Sequence, residues 1–357
     1  MVSRVTLIRS ATLLGVGVAL LLSGAHGSAA PYYQGKTLTM IQGRTPAGTG
    51  DVRARVVIEY LQKHLEGKPT IVSRYMPGGG GTLAANYMAN NARRDGLTIG
   101  NIGSSMFPNA ILQVRGVRYK LEDFIFLGSA SPGNPYTLVI RPGLKLNTVE
   151  AVKEHQGLRF AQRSVGHAMY ILDRVVAYVL DLKEPKWILG YSSSEIPLAL
   201  EKGEADAESQ SIPGILRGTP HWIGEFSFPV TVKNAVGQGA EAVPGFPQGL
   251  PTLEQFADTD MKKKLLQFND SIRPTAAPYF VPKGVPEPAL NALKLAFAKI
   301  WKDPEFAVDY KKATAGEDAL PMTGEEIERI LAQRPADPEV LKVYKQLIGA
   351  GPMPKSK

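Results

Sequence analysis

A short apolar segment, followed by a glycine-rich loop and an amphipathic helix, constrains the start of this chain most strongly. Residues Thr37–Ile41 combine threonine with apolar side chains, which predicts a buried strand. The loop Gly43–Gly50 contains too much glycine and proline to continue that strand. Asp51 is then predicted to be a helix N-cap, because apolar residues recur behind it at helical spacing as far as Leu65. A strand, a glycine loop and a helix N-terminus in this order are typical of an anion site.

Two features of the loop limit the anion that it can bind. Gly43 and Gly48 have the first spacing of a phosphate-binding P-loop, but Thr49 stands where that motif requires lysine. The chain also contains no Gly-x-Gly-x-x-Gly motif, which argues against a dinucleotide. The loop therefore favours a small carboxylate over a nucleotide, with a plain strand–helix turn that binds nothing as the alternative.

Alternating strand and helix patterns predict an α/β chain built from two similar units. In the first unit, the strand Leu97–Ile102 leads into a loop that contains Ser104 and Ser105. Ligands of parallel sheets bind beyond the carboxyl ends of the strands, so this loop and Gly43–Gly50 are expected at one edge. The run Gly78–Gly81 is interpreted as a tight turn, with a second anion cradle as the alternative.

The second unit begins near Ser131 and repeats the same pattern. The strand Arg159–Gln162 leads into the loop Arg163–His167, and a long helix with an apolar face follows. Arginine presents a rigid fork of donors that matches a carboxylate, so Arg163 is a candidate ligand residue, with a solvent-facing side chain as the alternative. Its replacement by alanine is then expected to weaken binding without changing the melting temperature of the free protein.

Residues for several other chemistries are missing or wrongly spaced. The chain has no cysteine, no His-Glu-x-x-His and no Gly-x-Ser-x-Gly, and the histidines beyond residue 30 are not spaced as metal ligands. Lys262–Lys264 is the only run of three lysines, and no tract combines basic with aromatic residues. We therefore predict no catalytic residue, no metal, no cofactor and no nucleic-acid partner.

Residues 1–29 have the pattern of a secretory signal peptide that is cleaved after Ala29. A basic start with Arg4 and Arg9 precedes an apolar stretch and a zone of small residues. Ala25 occupies the position where a lipoprotein signal carries cysteine, so no lipid anchor is expected. Removal of the signal takes away Arg4 and Arg9 and no acid, and lowers the formal net charge from +8 to +6.

Three blocks of motifs, in order from about Tyr33 to Ile330, resemble the periplasmic solute-binding receptors of tripartite tricarboxylate transporters, the TctC/Bug-like proteins. The first block is the loop Pro46–Asp51 with the following Ala54-Arg55. The second runs from Met76 through Asp95–Gly100, and the third comprises Phe280–Pro286 and Lys302–Phe306. The resemblance implies a type II periplasmic binding protein fold, with two α/β lobes, a ligand cleft between them and two crossover strands.

The resemblance further implies how the chain is divided and what it does. Lobe 1 would comprise residues 30–130 and 234–357, the latter with the C-terminal helices, and lobe 2 would comprise residues 131–233. The crossovers are expected near Ser129–Gly133 and Thr231–Gly237. The protein would be a periplasmic monomer that captures a small organic carboxylate, a di- or tricarboxylate or an aromatic acid, and delivers it to the membrane subunits of a secondary transporter. The alternatives are a periplasmic sensor of such a ligand and an enzyme on the same fold, which His167 would serve.

Mapping the ligand loops of the family onto this chain gives the expected binding residues. They are Thr45, Ala47, Gly48, Thr49, Ser104, Ser105, Arg163, Ser164, Val165, Gly166, His167 and Ser192. The backbone N–H groups of Ala47, Gly48 and Thr49 would hold one carboxylate, while Asp51 shapes the loop. Ser164 and the N–H groups of Val165 to His167 would hold the other end of the ligand. Ala47 and Thr49 depart from the consecutive glycines of the family, and Arg163 and His167 from its small residues.

Overall fold

A computed structural model of the chain describes residues 30–131, 133–234, 237–273, 275–335 and 337–355. The predicted signal peptide and its cleavage after Ala29 lie outside the described residues. From Tyr32 onward the chain forms one compact unit. Within the described ranges, no helix combines the length and the apolar character needed to cross a membrane.

The described residues contain ten strands, which form two five-stranded sheets, and twelve α-helices. The strands are β1 Thr37–Gln42, β2 Thr70–Tyr75, β3 Thr98–Asn101, β4 Phe124–Gly128, β5 Tyr136–Ile140, β6 Arg159–Gln162, β7 Lys186–Leu189, β8 Ala207–Ser211, β9 Thr231–Val232 and β10 Tyr279–Pro282. The helices are α1 Thr49–His64, α2 Thr82–Asn90, α3 Met106–Ile111, α4 Val149–Glu154, α5 Ala168–Val179, α6 Glu195–Glu201, α7 Ile212–Gly218, α8 Asp260–Ser271, α9 Glu287–Ile300, α10 Pro304–Ala313, α11 Gly324–Ala332 and α12 Pro338–Ile348.

The first sheet, with its helices, forms lobe 1 and has the strand order β2-β1-β3-β10-β4. As predicted, β1 is parallel to β2 and β3, whereas β10 lies antiparallel between β3 and β4. Leu38 and Met40 of β1 pack in one buried cluster with Val57 and Leu61 of α1. This packing fixes α1 against the sheet, and it places the loop between β1 and α1 beyond the carboxyl end of β1.

The second sheet forms lobe 2 and has the order β7-β6-β8-β5-β9. Its central strand pairs, β6 with β7 and β6 with β8, are parallel, and β5 is antiparallel to both β8 and β9. The long helix α5 buries Leu172, Val175 and Val176 in the same cluster as Phe160 of β6. The loop between β6 and α5 therefore occupies the same position in lobe 2 that the loop between β1 and α1 occupies in lobe 1.

The return of the chain from lobe 2 to lobe 1 corrects the predicted second crossover. The first connection lies between β4 and β5, as expected, but residues 237–273 stay on lobe 2, where Leu253, Leu265 and Phe268 join its buried cluster. The chain returns to lobe 1 only just before β10. There the Ala276 N–H donates to the Ser131 carbonyl at 3.1 Å, so the two crossing segments lie side by side.

The last helix corrects the expectation that all C-terminal helices pack on lobe 1. Helices α9, α10 and α11 do contact lobe 1, whereas α12 packs against α5 and α8 of lobe 2. Tyr344 of α12 lies edge-on to Phe268 at 5.1 Å between ring centroids, and its hydroxyl donates to Asn269 Oδ1 at 2.8 Å. Arg174 of α5 donates to the Gly351 carbonyl at 2.9 Å. The link between α11 and α12 is therefore a third connection between the lobes in the described chain.

Candidate functional site

A cavity of about 660 Å³ lies between the two lobes, where the loops after the strands of both sheets face each other. Its volume is within the range of about 300–1,000 Å³ that is typical of small-molecule sites. Eight predicted ligand residues line it: Thr45, Ala47, Gly48, Thr49, Ser104, Ser105, Arg163 and His167. The other four predicted residues, Ser164, Val165, Gly166 and Ser192, are not part of its lining.

The first wall of the cavity is the loop between β1 and α1, and its helix cap differs from the prediction. The N-cap of α1 is Gly48, and Asp51 lies inside the first turn, where its carboxylate accepts the Ala47 N–H at 2.9 Å. Asp51 thus shapes the loop as expected, but the Ala47 N–H is already used and does not face a ligand. The N–H groups of Thr49 and Gly50 have no acceptor inside the helix because they belong to its first turn.

Asp51 is held in its ionised form by the groups around it. The Tyr75 hydroxyl donates to Oδ1 at 2.8 Å, and Arg55 Nε donates to Oδ2 at 3.0 Å. Burial opposes ionisation, yet these bonds and the one from Ala47 hold the pKa of Asp51 below its usual range. The negative charge of Asp51 is therefore compensated by Arg55 and is not directed at the cavity.

The backbone at Ala47, in the same loop, has a φ of 66°, a left-handed conformation that glycine adopts at lower cost.

The loop between β6 and α5 differs from the prediction, because its backbone N–H groups are not presented to the cavity. Helix α5 begins at Ala168, and His167 is its N-cap, with Nδ1 accepting the Met169 N–H at 3.2 Å. The His167 N–H itself donates to the Ser164 carbonyl at 3.2 Å. The group of His167 that remains for the cavity is its second ring nitrogen, Nε2. Since Nδ1 is an acceptor, Nε2 carries the proton and is a neutral donor.

His167 is uncharged at neutral pH because of where it lies. Burial, followed by the positive charges of Arg163 and Arg44, keeps the pKa of its imidazole well below the usual range. Its contribution to the cavity is therefore a hydrogen bond without a net charge.

Residues 164–166 connect the two lobes. Ser164 Oγ accepts the Gly80 N–H at 3.2 Å, and the Gly166 carbonyl accepts Asn109 Nδ2 at 3.3 Å. Gly80 belongs to the run Gly78–Gly81, which forms a tight turn with positive φ at each glycine, as predicted. We call this meeting of the two loops the interlobe contact. Gly80, on the lobe 1 side of this contact, also lines the cavity.

Arg163 lines the cavity, but a carboxylate of the protein already compensates its charge. Its Nη1 forms an ion pair with Glu208, whose side chain is fully buried in β8, and its Nε donates to Ser193 Oγ at 2.8 Å. Desolvation raises the pKa of Glu208 despite this pairing. A second buried acid, Asp173, lies near Glu208. Burial and then the charge of Glu208 raise the pKa of Asp173 to about 8. Arg163 therefore compensates the charge of the buried Glu208 and also lines the cavity.

Ser192 is turned away from the cavity, while the two serines after it form part of its wall. The Ser192 N–H donates to Glu195 Oε2 at 2.6 Å, and its Oγ lies 3.2 Å from Ser194 Oγ, so it shapes the start of α6. Ser193 and Ser194 line the cavity. The predicted residue, Ser192, is therefore adjacent to the cavity lining but not part of it.

Three arginines that the sequence did not single out as ligand residues also line the cavity: Arg44, Arg53 and Arg217. Arg44 lay within the predicted loop, so its position could have been a signal. Arg53 and Arg217 are in helices, where nothing local distinguishes them from surface arginines. Within the described residues, no group of three or more His, Cys, Asp and Glu side chains is arranged to hold a metal ion.

No family model matches the chain. Among curated proteins, it is similar to Protein BugT of Bordetella pertussis (strain Tohama I), with 30% identity over 165 residues. That match covers 44% of this chain and 49% of BugT, so the chain spans about half the length of the curated relative that it matches.

Two solved structures show the same fold. The periplasmic binding protein BugD has a TM-score of 0.69 at 18% identity, covering 88% of this chain and 98% of BugD. MatC from Rhodopseudomonas palustris, solved with bound malate, has a TM-score of 0.64 at 18% identity, covering 88% and 99%. These similarities confirm the predicted two-lobed binding-protein fold. Together with BugT, they also confirm the resemblance to TctC/Bug-like receptors.

Proposed function

We propose that this chain is an extracytoplasmic solute-binding protein that captures a small organic carboxylate between its lobes and delivers it to the membrane subunits of a secondary transporter. It would act in the periplasm as a monomer, after removal of residues 1–29, without a cofactor and without a chemical step. The observation that carries this proposal is the cavity of about 660 Å³, which both lobes line with arginine side chains and hydrogen-bond donors.

The lining of the cavity supports an anionic ligand. Arg44 comes from lobe 1, and Arg163 and Arg217 come from lobe 2. Glu201, the acidic residue in the lining, accepts hydrogen bonds from His221 at 3.0 Å and from Trp222 at 2.9 Å. Its charge is therefore engaged by the protein, and the lining is cationic in balance. Guanidinium groups bind carboxylates through two parallel hydrogen bonds.

We assign the ligand contacts to the predicted residues that line the cavity. Thr49 and the free N–H groups at the start of α1 would bind one carboxylate, with Thr45, Ser104 and Ser105 nearby. His167 Nε2 would donate to the ligand from lobe 2. Ser164, Val165 and Gly166 would act through the interlobe contact. The malate that MatC binds supports a carboxylate as the class of ligand.

An enzymatic role for His167 has less support than a binding role. Its Nδ1 accepts the Met169 N–H, so the ring caps α5 and is not free to exchange protons at both nitrogens. The chain has no cysteine that could serve as a nucleophile beside it. A sensor would use the same cavity, and uptake of the ligand by cells with and without the gene would separate sensing from transport.

A thermal-shift screen tests the proposed function. The chain from Ala30 onward is heated with mono-, di- and tricarboxylates, aromatic acids and amino acids, with nucleotides and neutral sugars as controls. A ligand at a hundred times its Kd stabilises the native state by about 2.7 kcal/mol, so at least one carboxylate should raise the melting temperature clearly. A response to nucleotides or sugars with none to any acid would contradict the proposal.

A further inference from the structure

The arginines that line the cavity differ in how their charges are compensated. Four of them lie in the described lining, and two have a carboxylate partner from the protein. Arg53 pairs with Glu317 at 2.7 Å between Nη2 and Oε1, and Arg163 pairs with Glu208. Both acids are buried, so these two guanidinium groups bring little uncompensated charge to a ligand.

The other two arginines have no such partner. Across the described chain, no carboxylate oxygen lies within 4 Å of Arg44 or Arg217. Arg44 donates to the Asn101 carbonyl at 3.0 Å, and Arg217 donates to Thr49 Oγ1 at 2.7 Å. One of these cations belongs to lobe 1 and the other to lobe 2, so two separate positive charges face the cavity from its two sides.

Arg217 also has an unsatisfied donor. Its Nη1 is buried and makes no hydrogen bond within the part of the chain that the structure describes. Buried polar groups are normally paired, because an unpaired one keeps the full cost of leaving water. Burial and the nearby charge of Arg53 both lower the pKa of Arg217. An anion in the cavity would compensate the charge of this guanidinium group, which lines the cavity without a carboxylate partner.

The surroundings of Arg217 hold it across the cleft. Gly214 lies one turn earlier in α7, and a Cβ at this position would be 3.5 Å from Thr49 Oγ1 and 2.4 Å from Ser211 Oγ. Because position 214 carries no side chain, α7 can approach the start of α1 closely. The bond from Arg217 to Thr49 links the two walls that would hold the two ends of a ligand.

We propose that Arg217 is the specificity residue of the cavity, which selects ligands with a second acidic group by binding that group through its guanidinium group. This inference rests on the proposed function and deepens it. The first acidic group lies at Arg44 and the start of α1, and the second lies at Arg217 in lobe 2. A ligand with a single acidic group leaves the charge of Arg217 uncompensated, so it binds more weakly than the corresponding diacid.

Calorimetric titration with matched pairs of probes tests this assignment. Succinate, glutarate and adipate are each compared with their own monomethyl ester, which removes one charge and keeps the chain of the acid. We expect wild-type protein to bind at least one diacid about tenfold or more tightly than its ester. In Arg217→Met, that diacid should lose about tenfold or more in affinity, while the ester stays within a factor of about three of wild type.

Two further variants serve as controls. Arg217→Lys keeps the positive charge but loses the two-donor fork of arginine, so its preference for the diacid should fall below that of wild type, to about threefold. Arg115→Met changes an exposed arginine that does not line the cavity, and both probes should bind it as they bind wild type. If Arg217→Met fails to fold, the comparison of the diacid preference of wild type with that of Arg217→Lys still tests the role of Arg217.

The outcomes separate this inference from the proposed function. Equal affinity of the wild type for each diacid and its ester overturns the role of Arg217, although carboxylate binding stands. An unchanged preference in Arg217→Met or in Arg217→Lys has the same meaning. If no acid binds in either the titration or the thermal screen, the proposed function and this inference both fail.

Discussion

We expect replacement of Gly80 by alanine to weaken carboxylate binding by about 5- to 150-fold, because the added methyl group blocks the interlobe contact. A Cβ at this position would lie 2.1 Å from the Gly166 carbonyl oxygen and 2.6 Å from the His167 nitrogen. Both are backbone atoms of lobe 2, so neither can rotate away. Overpacking of this kind costs about 1–3 kcal/mol. The lobes can avoid this cost only by moving apart, which opens the cavity.

Gly79→Ala is the matched control for this substitution. Gly79 lies in the same turn with a φ of 54°, and Gly80 has a φ of 63°, so both variants place alanine in a left-handed conformation. The nearest atom to a Cβ at Gly79 is Thr82 Cβ, at 3.2 Å and within lobe 1. Gly79→Ala should therefore lose stability without the large loss of affinity. Equal affinities of the two variants in calorimetric titration would show that the interlobe contact does not govern binding.

Replacement of Arg163 by alanine is expected to lower the free energy of unfolding of the ligand-free protein by about 3–5 kcal/mol. The reason is Glu208, whose fully buried carboxylate would lose its ion-pair partner. An uncompensated charge in that position is costly, and Asp173 nearby already has a raised pKa. Urea denaturation at neutral pH, without ligand, measures the effect.

Two further variants identify the cause of that loss. Adding Glu208→Gln to Arg163→Ala removes the orphaned charge and should recover about half of the lost free energy or more. Arg115→Ala, at an exposed position outside the cavity lining, should change stability by no more than about 0.5 kcal/mol. A wild-type free energy of unfolding for Arg163→Ala would refute the structural role of the pair.

Local patterns in the sequence predicted the elements that surround the cavity. The strand at Thr37–Ile41, its glycine loop and the following helix all form, because apolar spacing and glycine content act over a few residues. Loops at the carboxyl ends of neighbouring parallel strands meet at one edge of the sheet, and Ser104 and Ser105 do line the same cavity as that loop. The predicted N-cap, Asp51, lies three residues after the observed one, Gly48, because Asp51 accepts the Ala47 N–H from inside the first turn.

Contacts between distant residues were not predictable in the same way. Helix α12 has an apolar stripe, Val340, Tyr344 and Leu347, which fits any apolar groove, so only the complete fold decides that it packs on lobe 2. The charge on Arg53 is compensated by Glu317, which lies 264 residues away. For the same reason, no local pattern indicated that Glu208 would pair with Arg163. Because Arg163 pairs with the buried Glu208, we expect Arg163→Ala to destabilise the free protein, which corrects the prediction of equal stability made from the sequence.

Hydrogen exchange measured by mass spectrometry tests the central claim most directly, that a carboxylate binds between the two lobes. The chain from Ala30 onward is compared with and without the acid that gives the largest thermal shift. Ligand should slow amide exchange in both walls together, in residues 43–53 of lobe 1 and in residues 163–169 and 211–219 of lobe 2. Slowing confined to one lobe, or located at distant helices such as α10 and α12, would contradict a site between the lobes.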